Sequence, residues 1–272
     1  MPNSKFGSVV MNETWESRRR RAERLASERP ESNELLTFYA ALVRSQSEIY
    51  EYLRTQENWR PSGELARDLT KLRYVWPNLL HTVEATGPEA LVHEASRLSK
   101  ASESEVTEIL MGYWHAPSDL QFFPKAFLQP YVGWLREIGV KPHSRKLASG
   151  ENRCPFCSGK PQVSILQIKE TTSESGGRDL ICATCLSPWP FRRVVCAACL
   201  EENPTQIGYY HTSEYDHIRI EACDTCKHYI KSIDLTRYGL ADSLVDELAA
   251  APLDIWARER GYIKIEMNLV GL

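Results

Sequence analysis

Apolar residues recur at steps of three and four along much of residues 1–150, which predicts a helical region. Only Gln46 interrupts the apolar face of the clearest stretch, residues 31–55. We expect five to seven helices packed as a bundle. The repeated apolar positions of the clearest stretch are Leu35, Tyr39, Leu42, Ile49 and Leu53.

Capping and proline signals predict where some of these helices begin and end. Ser102, followed three residues later by Glu105, forms a capping box that predicts a helix start. Gly87-Pro88 predicts another start, because proline is tolerated in the first turn of a helix. Pro130 interrupts a helical stretch, so we expect it to end one helix and begin the next.

After residue 150 the pattern changes to the alternation that is typical of strands. The stretches 161–170 and 177–182 flank a polar turn that contains Gly176, and the stretches 207–212 and 217–223 flank a second short turn. We therefore predict two β-hairpins. A helical pattern returns after Asp234, and it is too short to bury a core of its own.

All eight cysteines of the chain stand in four CxxC pairs. Twenty-four residues separate the first pair from the second and twenty-three separate the third from the fourth, but only ten separate the second from the third. Each unit is therefore CxxC–hairpin–CxxC, and two CxxC turns can present four thiolates to one metal ion. The predicted quartets are Cys154, Cys157, Cys182 and Cys185, and then Cys196, Cys199, Cys223 and Cys226.

Other interpretations of the cysteines stay open. Cross-braced quartets would pair the first CxxC with the third, but the repeat favours one full ligand set in each unit. Redox-active dithiols of the thioredoxin type stand at a helix N-terminus in a βαβ context, and that context is absent from the sequence around these pairs. Zinc and iron both accept four thiolates in a tetrahedron, so spacing does not separate them.

These patterns predict an α+β chain with an N-terminal all-α domain, two tandem zinc-ribbon modules and a short C-terminal helical tail that packs on them. Residues 141–153 lose the helical periodicity and are interpreted as the linker. The predicted parts are residues 1–150, 151–190, 191–233 and 234–272.

Composition and charge narrow the class of protein. The 272 residues are 42% hydrophobic and 25% charged, which is ordinary for a soluble globular chain. We expect a cytoplasmic protein without membrane insertion, since the sequence shows neither a signal-peptide pattern nor an apolar run of about 20 residues. Residues 151–272 hold 13 Lys and Arg against 17 Asp and Glu, so this half should repel nucleic acid.

Other candidate residues carry weaker signals. His211, His217 and His228 lie near the second unit, where ordinary structural roles are the expectation. The run of four arginines at Arg18–Arg21 is flanked by glutamates, which favours a solvated helix face. Trp189 and Arg193 lie between the second and third pairs. They are candidates for partner binding, and the alternative is that Trp189 wedges the two ribbons together.

Several motifs together resemble the FdhE family of formate dehydrogenase accessory proteins. The motifs are RCPFCSGKP, CATCLSPWPFRRVVCAACLEEN, EACDTCKHYIKSIDL and LDIWARERGY, and the resemblance covers residues 151–272. The N-terminal helices resemble that family more loosely. The resemblance implies two rubredoxin-like modules that bind two metal ions through the eight cysteines, with iron the metal associated with the family and zinc possible.

The same resemblance implies a role. Members of the family are cytoplasmic, non-enzymatic maturation factors that are thought to bind the catalytic subunit of a molybdenum- or tungsten-containing formate dehydrogenase. An alternative is a redox-active iron protein that acts on the immature enzyme, and a less favoured one is a zinc-ribbon nucleic-acid binder. The knuckles depart from rubredoxin, which commonly has glycine after the second cysteine. Here the residues are Ser158, Leu186, Leu200 and Lys227.

Overall fold

The computed structural model describes residues 11–143, 150–168 and 177–271, and the structural statements below concern those residues. Seven α-helices occupy the described part of the N-terminal region, as the apolar pattern predicts. Within the described ranges, every helix is too short or too polar to cross a bilayer. The helices are α1 (Met11–Glu28), α2 (Asn33–Arg54), α3 (Leu65–Leu72), α4 (Trp76–Thr86), α5 (Glu89–Leu98), α6 (Glu103–His115) and α7 (Phe122–Glu137).

The local signals for helix starts are confirmed. The Ser102 hydroxyl oxygen accepts a hydrogen bond from the backbone N–H of Glu105 at 3.3 Å, and α6 begins at Glu103. Pro88 immediately precedes the first residue of α5. Ser102 caps a backbone N–H in the first turn of α6, and Pro88, which has no N–H of its own to satisfy, precedes the first turn of α5.

Pro130 lies inside the unbroken helix α7, so the prediction that it separates two helices is wrong. A proline lacks the N–H that would bond to the carbonyl four residues earlier, here that of Ala126. The Gln46 side chain of α2 donates to this carbonyl oxygen instead, at 2.7 Å, and to Gln129 Oε1 at 2.9 Å. The polar residue that interrupts the apolar face of α2 therefore supplies the hydrogen bond that α7 lacks.

In the described part of the chain, seven strands form one sheet. Strands β1 and β2 form the first predicted hairpin and β4 and β5 the second, and both pairs are antiparallel. The turn predicted around Gly176 lies outside the described residues, as do residues 144–149 of the predicted linker. The strands are β1 (Pro161–Gln167), β2 (Gly177–Cys182), β3 (Pro188–Phe191), β4 (Ile207–His211), β5 (Ile218–Cys223), β6 (His228–Asp234) and β7 (Ile263–Lys264).

The two hairpins join through a parallel pair of strands. The order is β3-β2-β1-β6-β5-β4, and β7 pairs with the start of β6. In the β1–β6 pair, Val163 lies opposite Lys231 and Ile165 opposite Ile233. Because parallel strands begin at the same end of a sheet, the CxxC pairs that precede β1 and β6 lie at the same end. The strands of both predicted modules thus share one sheet, while the boundaries at residues 190 and 233 stay predictions.

The tail forms α8 (Ser243–Ala249), α9 (Ala251–Glu259) and β7, and it packs on both the sheet and the helices. Arg21 Nη2 contacts Asp246 Oδ1 at 2.6 Å, and Arg18 Nε lies 3.5 Å from Asp242 Oδ2. The prediction that the arginine run is a solvated face is therefore wrong for these two residues, because Arg18 is buried, Arg21 is half-buried and both pair with carboxylates of the tail. The other two arginines pair with Glu16 on α1 itself.

A buried ionic cluster also holds the tail against the sheet. Lys231 Nζ lies 3.0 Å from Glu247 Oε1, and Lys264 Nζ lies 3.1 Å from Asp254 Oδ1. Burial lowers the pKa of Lys231, but the Glu247 and Asp254 carboxylates outweigh it, and the net shift is upward. Since the two positive and two negative charges balance, no charge in the cluster is left uncompensated.

The compensation of Pro130 by Gln46 gives a prediction. Gln46→Leu should lower the free energy of unfolding by about 1–3 kcal/mol, because it leaves the Ala126 carbonyl buried and unpaired. Pro130→Ala restores an N–H at that position, so in this background the cost of Gln46→Leu should fall by about 1 kcal/mol. Urea unfolding of the four proteins measures both effects.

A matched control is Glu48→Gln on the exposed side of α2, which should change the stability by no more than about 0.5 kcal/mol. An equal cost of Gln46→Leu in both backgrounds would refute the compensation.

Candidate metal centres

Each of the four CxxC pairs lies in the same kind of tight turn. In every case, the N–H of the residue after the second cysteine donates to the carbonyl of the first cysteine, at 2.8 to 3.0 Å. This bond curls the backbone so that both thiols of a pair point to the same side. The donors, in chain order, are Ser158, Leu186, Leu200 and Lys227.

These four donors share a left-handed backbone conformation. Their φ angles are 59°, 56°, 66° and 58°. They stand where rubredoxin knuckles commonly have glycine, so the knuckle geometry is kept although the residue that adopts it most easily is absent. A non-glycine residue in this region costs about 1–2 kcal/mol, and the surrounding contacts must offset that cost.

The first quartet consists of Cys154, Cys157, Cys182 and Cys185, whose ligand atoms all lie within 4.8 Å of one another. The Sγ–Sγ distance is 3.6 Å between Cys154 and Cys185 and 3.4 Å between Cys157 and Cys182. A tetrahedron with metal–sulfur bonds of about 2.3 Å has sulfur–sulfur edges of about 3.8 Å. The four thiols therefore fit a single tetrahedral ion with little movement.

Helical packing buries this first quartet. All four cysteines are at most 3% exposed and belong to the same core as the N-terminal helices. Gln129 Nε2 of α7 donates to the carbonyl of Ala183, inside the second CxxC turn, at 2.7 Å. Because Gln46 binds the other end of Gln129, a chain of hydrogen bonds runs from α2 through α7 to the first quartet.

The second quartet has similar geometry but a different environment. Its four ligand atoms also lie within 4.8 Å, with Sγ–Sγ distances of 3.7 Å for Cys196 and Cys226 and 3.8 Å for Cys199 and Cys223. Cys196 and Cys223 are buried, Cys226 is half-buried and Cys199 is exposed. An ion here would be reached by solvent from the Cys199 side, whereas an ion in the first quartet would be enclosed.

Polar contacts connect the two quartets. Asn152 Nδ2, just before the first CxxC pair, donates to the carbonyl of Ala198 in the third pair at 2.7 Å. Arg178 on β2 donates to the carbonyl of Val195, next to Cys196, at 2.9 Å. No local sequence pattern marks Asn152 or Arg178, because their partners are distant in sequence. The quartets thus sit in one braced unit.

The thiols of the first quartet differ in acidity. Contact with the Cys157 thiol, and then with the other two, lowers the pKa of Cys154. Burial raises the pKa of Cys182 and of Cys185 well above the usual range. Since a metal ion binds thiolates, its binding must release the protons that the raised pKa values keep on Cys182 and Cys185.

Backbone amides also point at the sulfur atoms. The N–H of Thr184 donates to Cys182 Sγ and that of Ala198 to Cys196 Sγ, each at 3.3 Å. Such bonds stabilise thiolates, so the chemistry of the donor set fits a divalent or trivalent ion. All four positions around each ion would be protein ligands, which is typical of structural and electron-transfer sites rather than of open catalytic ones.

The geometry separates the alternative interpretations of the cysteines. The structure groups the thiols within each unit and not in the cross-braced arrangement. Each pair lies in a turn beside a strand, and none of the described α-helices begins at a CxxC pair, unlike a thioredoxin dithiol. The identity of the ion and its occupancy stay predictions.

The candidate partner-binding residues lie between the quartets. Trp189 is 5% exposed, belongs to the core and donates from Nε1 to the carbonyl of Glu151 at 3.1 Å. This placement is that of a buried core residue, and the alternative in which the ring wedges the two ribbons together stays a prediction. Arg193 is exposed. Partner binding by either residue stays a prediction.

The three histidines near the second unit lie outside the ligand sets. His217 Nε2 is 2.9 Å from Asp246 Oδ1, and His228 Nδ1 is 2.8 Å from the carbonyl oxygen of Cys226. His211 is exposed on β4. Among the described residues, the groups that could hold a metal ion are the two cysteine quartets.

The left-handed knuckle residues lead to a stability prediction. Ser158→Gly should raise the free energy of unfolding by up to about 1 kcal/mol, because glycine adopts this conformation without a Cβ clash. The matched variant Ser158→Val should lower it by about 1–2 kcal/mol, since a β-branched residue tolerates positive φ least. Urea unfolding at equal metal content compares them. A stabilising valine would contradict the assignment.

The unequal burial of the quartets predicts the order of metal loss. When protein loaded with two equivalents of zinc meets a chelator, the second quartet should release its ion at least about ten times faster, because the first must open locally before it is reached. Iodoacetamide labelling followed by mass spectrometry should then find Cys199 modified and Cys154 intact. Release of both equivalents in one phase, or early labelling of Cys154, would refute the asymmetry.

Known proteins resemble this chain in sequence and in fold. A family model described as the C-terminal domain of FdhE matches residues 194–270. The protein FdhE of Salmonella arizonae is 28% identical over 275 residues, which cover 92% of this chain and 86% of that protein. The crystal structure of the FdhE protein from Pseudomonas aeruginosa has a TM-score of 0.69, 23% identity and 95% coverage of both chains, and it supports the fold.

Full-length similarity extends the match beyond the cysteine modules. A protein FdhE homolog of Aquifex aeolicus is 30% identical over 260 residues, which cover 89% of this chain and 90% of that protein. The match therefore includes the N-terminal helices as well as both quartets. The resemblance inferred from the motifs around the cysteines is confirmed, together with the α+β fold class. The chain belongs to the FdhE family.

Proposed function

We propose that this protein is an accessory factor in the maturation of formate dehydrogenase, and that it binds the catalytic subunit of that enzyme in the cytoplasm. Membership of the FdhE family supports the accessory role. The observation that carries the proposal is the pair of cysteine quartets built into one sheet, each with a complete set of protein ligands. A closed ligand set favours a scaffold over a catalyst.

In this proposal, the ions stabilise the surface that meets the client. A bound ion in a site of four thiolates adds folding free energy on the order of 10 kcal/mol. At the second quartet, that energy would fix the knuckles that begin at Cys196 and Cys223, which a short ribbon cannot hold alone. The first quartet would fix the contact between the ribbons and α7, where Gln129 meets the second CxxC turn.

A second candidate is a redox-active iron protein that acts on the immature enzyme. The observation that favours it is the exposure of Cys199, since electron transfer requires an approach to the ion from outside. Iron in four thiolates changes its charge by one electron without losing a ligand, whereas zinc has no redox chemistry. The two candidates therefore predict different results for the zinc protein.

Metal exchange and ligand variants test the proposal. The scaffold predicts that protein with zinc at both quartets binds the catalytic subunit as well as the iron form does, and restores formate dehydrogenase activity to cells that lack the factor. Cys154→Ser and Cys196→Ser should each lose one equivalent of metal and most of the binding, because the knuckle around the missing ligand opens. Binding is measured by co-purification and activity by formate oxidation.

The matched control is Pro155→Ala, an exposed non-ligand position within the first knuckle, which should behave like the wild type. Restoration by the iron form alone would favour the redox candidate. Failure of the wild-type protein to bind the catalytic subunit would refute the proposed partner.

A further inference from the structure

The two edges of the sheet differ in their capacity to pair with another strand. Strand β3 forms one edge and carries Pro188 and Pro190, which lack N–H donors and block further pairing. Strand β4 forms the other edge, and its five residues, Ile207–His211, include no proline. Natural proteins usually protect the edges of their sheets from pairing with other strands. The open edge at β4, opposite the protected edge at β3, therefore indicates a surface that binds another strand.

The register of β4 shows which of its backbone groups are open. The N–H of Asp224 donates to the carbonyl of Gln206 at 2.8 Å, so the neighbouring pair of Ile207 and Cys223 is a non-hydrogen-bonded one. By alternation, Gly208 and Tyr210 bond to β5, whereas Tyr209 and His211 direct their backbone groups away from it. In the described part of the chain, no backbone hydrogen bond involves the outward N–H groups of Tyr209 and His211.

A cleft of about 470 Å³ lies beside this open edge. Its walls include Tyr210, Leu253 and Trp256, and the Tyr210 and Trp256 rings are 4.7 Å apart. Tyr215 also lines the cleft and is 2% exposed. Aromatic and apolar side chains thus form much of the cleft wall, so the cleft suits an apolar side chain of a ligand.

The second quartet anchors the open edge. Ile207, the first residue of β4, packs against Cys196 and Cys223 in a small buried cluster. The Tyr262 hydroxyl donates to Asp224 Oδ1 at 3.0 Å and ties the same end of the hairpin to the tail. An ion at this quartet would therefore hold β4 in place as a template for pairing.

We propose that the β4 edge binds an extended segment of the client's catalytic subunit by strand addition, with a large apolar side chain of that segment in the cleft. This inference rests on the proposed function and names its docking surface. Main-chain hydrogen bonds to Tyr209 and His211 would supply affinity, and the cleft would supply specificity. An immature enzyme subunit offers such segments because its chain has not yet packed.

A second copy of this chain fits the edge less well. In an antiparallel pairing of two β4 strands, the side chains on the cleft face would be those of Gly208 and Tyr210. Gly208 has no side chain, and Tyr210 is stacked on Trp256 of its own chain. The cleft would stay unfilled, which favours a different segment with an apolar side chain of its own.

The test uses two variants at one position. Tyr209→Pro removes the outward N–H and leaves the bonds of β4 to β5, because those come from Gly208 and Tyr210. Tyr209→Ala removes the side chain and keeps the N–H. Against the purified catalytic subunit, we expect Tyr209→Pro to bind at least about tenfold more weakly than wild type and Tyr209→Ala to stay within about threefold. Metal content verifies that both variants are folded.

Hydrogen exchange of the wild-type protein gives a result that does not depend on the variants. Amides in residues 207–211 should exchange at least about tenfold more slowly when the catalytic subunit is bound. Binding without this protection, or equal binding by Tyr209→Pro, would overturn the inference and leave the proposed function intact. Protection that appears without the subunit and grows with protein concentration would show self-association instead. Absence of wild-type binding would overturn both proposals.

Discussion

The parallel pairing of β1 with β6 is the contact on which the rest of the molecule depends. It joins two hairpins that are separate in sequence and sets both cysteine quartets at one end of a shared sheet. Across this β1–β6 joint, Arg178 of β2 forms an ion pair with Glu221 of β5 at 2.5 Å, and both side chains are buried. The Arg178 guanidinium also donates to Ser164 on β1. These bonds compensate the cost of burying the charge, so the joint resists a change of register.

The joint also explains why the two quartets differ. On the β1 side, the first quartet faces the helices and shares their core, with Gln129 bonded to its second knuckle. On the β6 side, the second quartet lies toward the outer hairpin, where Cys199 is exposed. Two sites with the same sulfur geometry thus have different access to solvent. The first is suited to holding the helices and ribbons together, and the second lies beside the surface that a partner can reach.

Ion pairs, in addition to apolar burial, hold the tail against the helices and the sheet. Asp246 of α8 forms an ion pair with Arg21 of α1. Glu247 and Asp254 form ion pairs with two lysines of the sheet, Lys231 and Lys264. The tail therefore contacts the first helix and the central strand β6, and its own strand β7 extends the sheet. Its aromatic residue Trp256 then forms one wall of the cleft beside β4. The same segment that completes the fold shapes the surface on which we place the client.

Sequence alone determined the elements whose signals are local. The capping box at Ser102, the apolar face of α2 and the four CxxC pairs with their spacing each depend on neighbours a few residues away, and the hairpins follow from the turns between them. The grouping of the thiols into two quartets followed because each hairpin returns its own ends to one place. The motifs around the cysteines were distinctive enough to indicate the family.

Tertiary structure decided what depends on distant partners. Pro130 continues a helix because Gln46, far away in sequence, satisfies the carbonyl that the proline leaves free. The left-handed knuckle residues, such as Ser158, keep a glycine-like conformation that their identity would not predict. The unequal exposure of the quartets and the open edge of β4 follow from the order of strands in the sheet. Such contacts are set by the packing of the whole chain, so no local pattern encodes them.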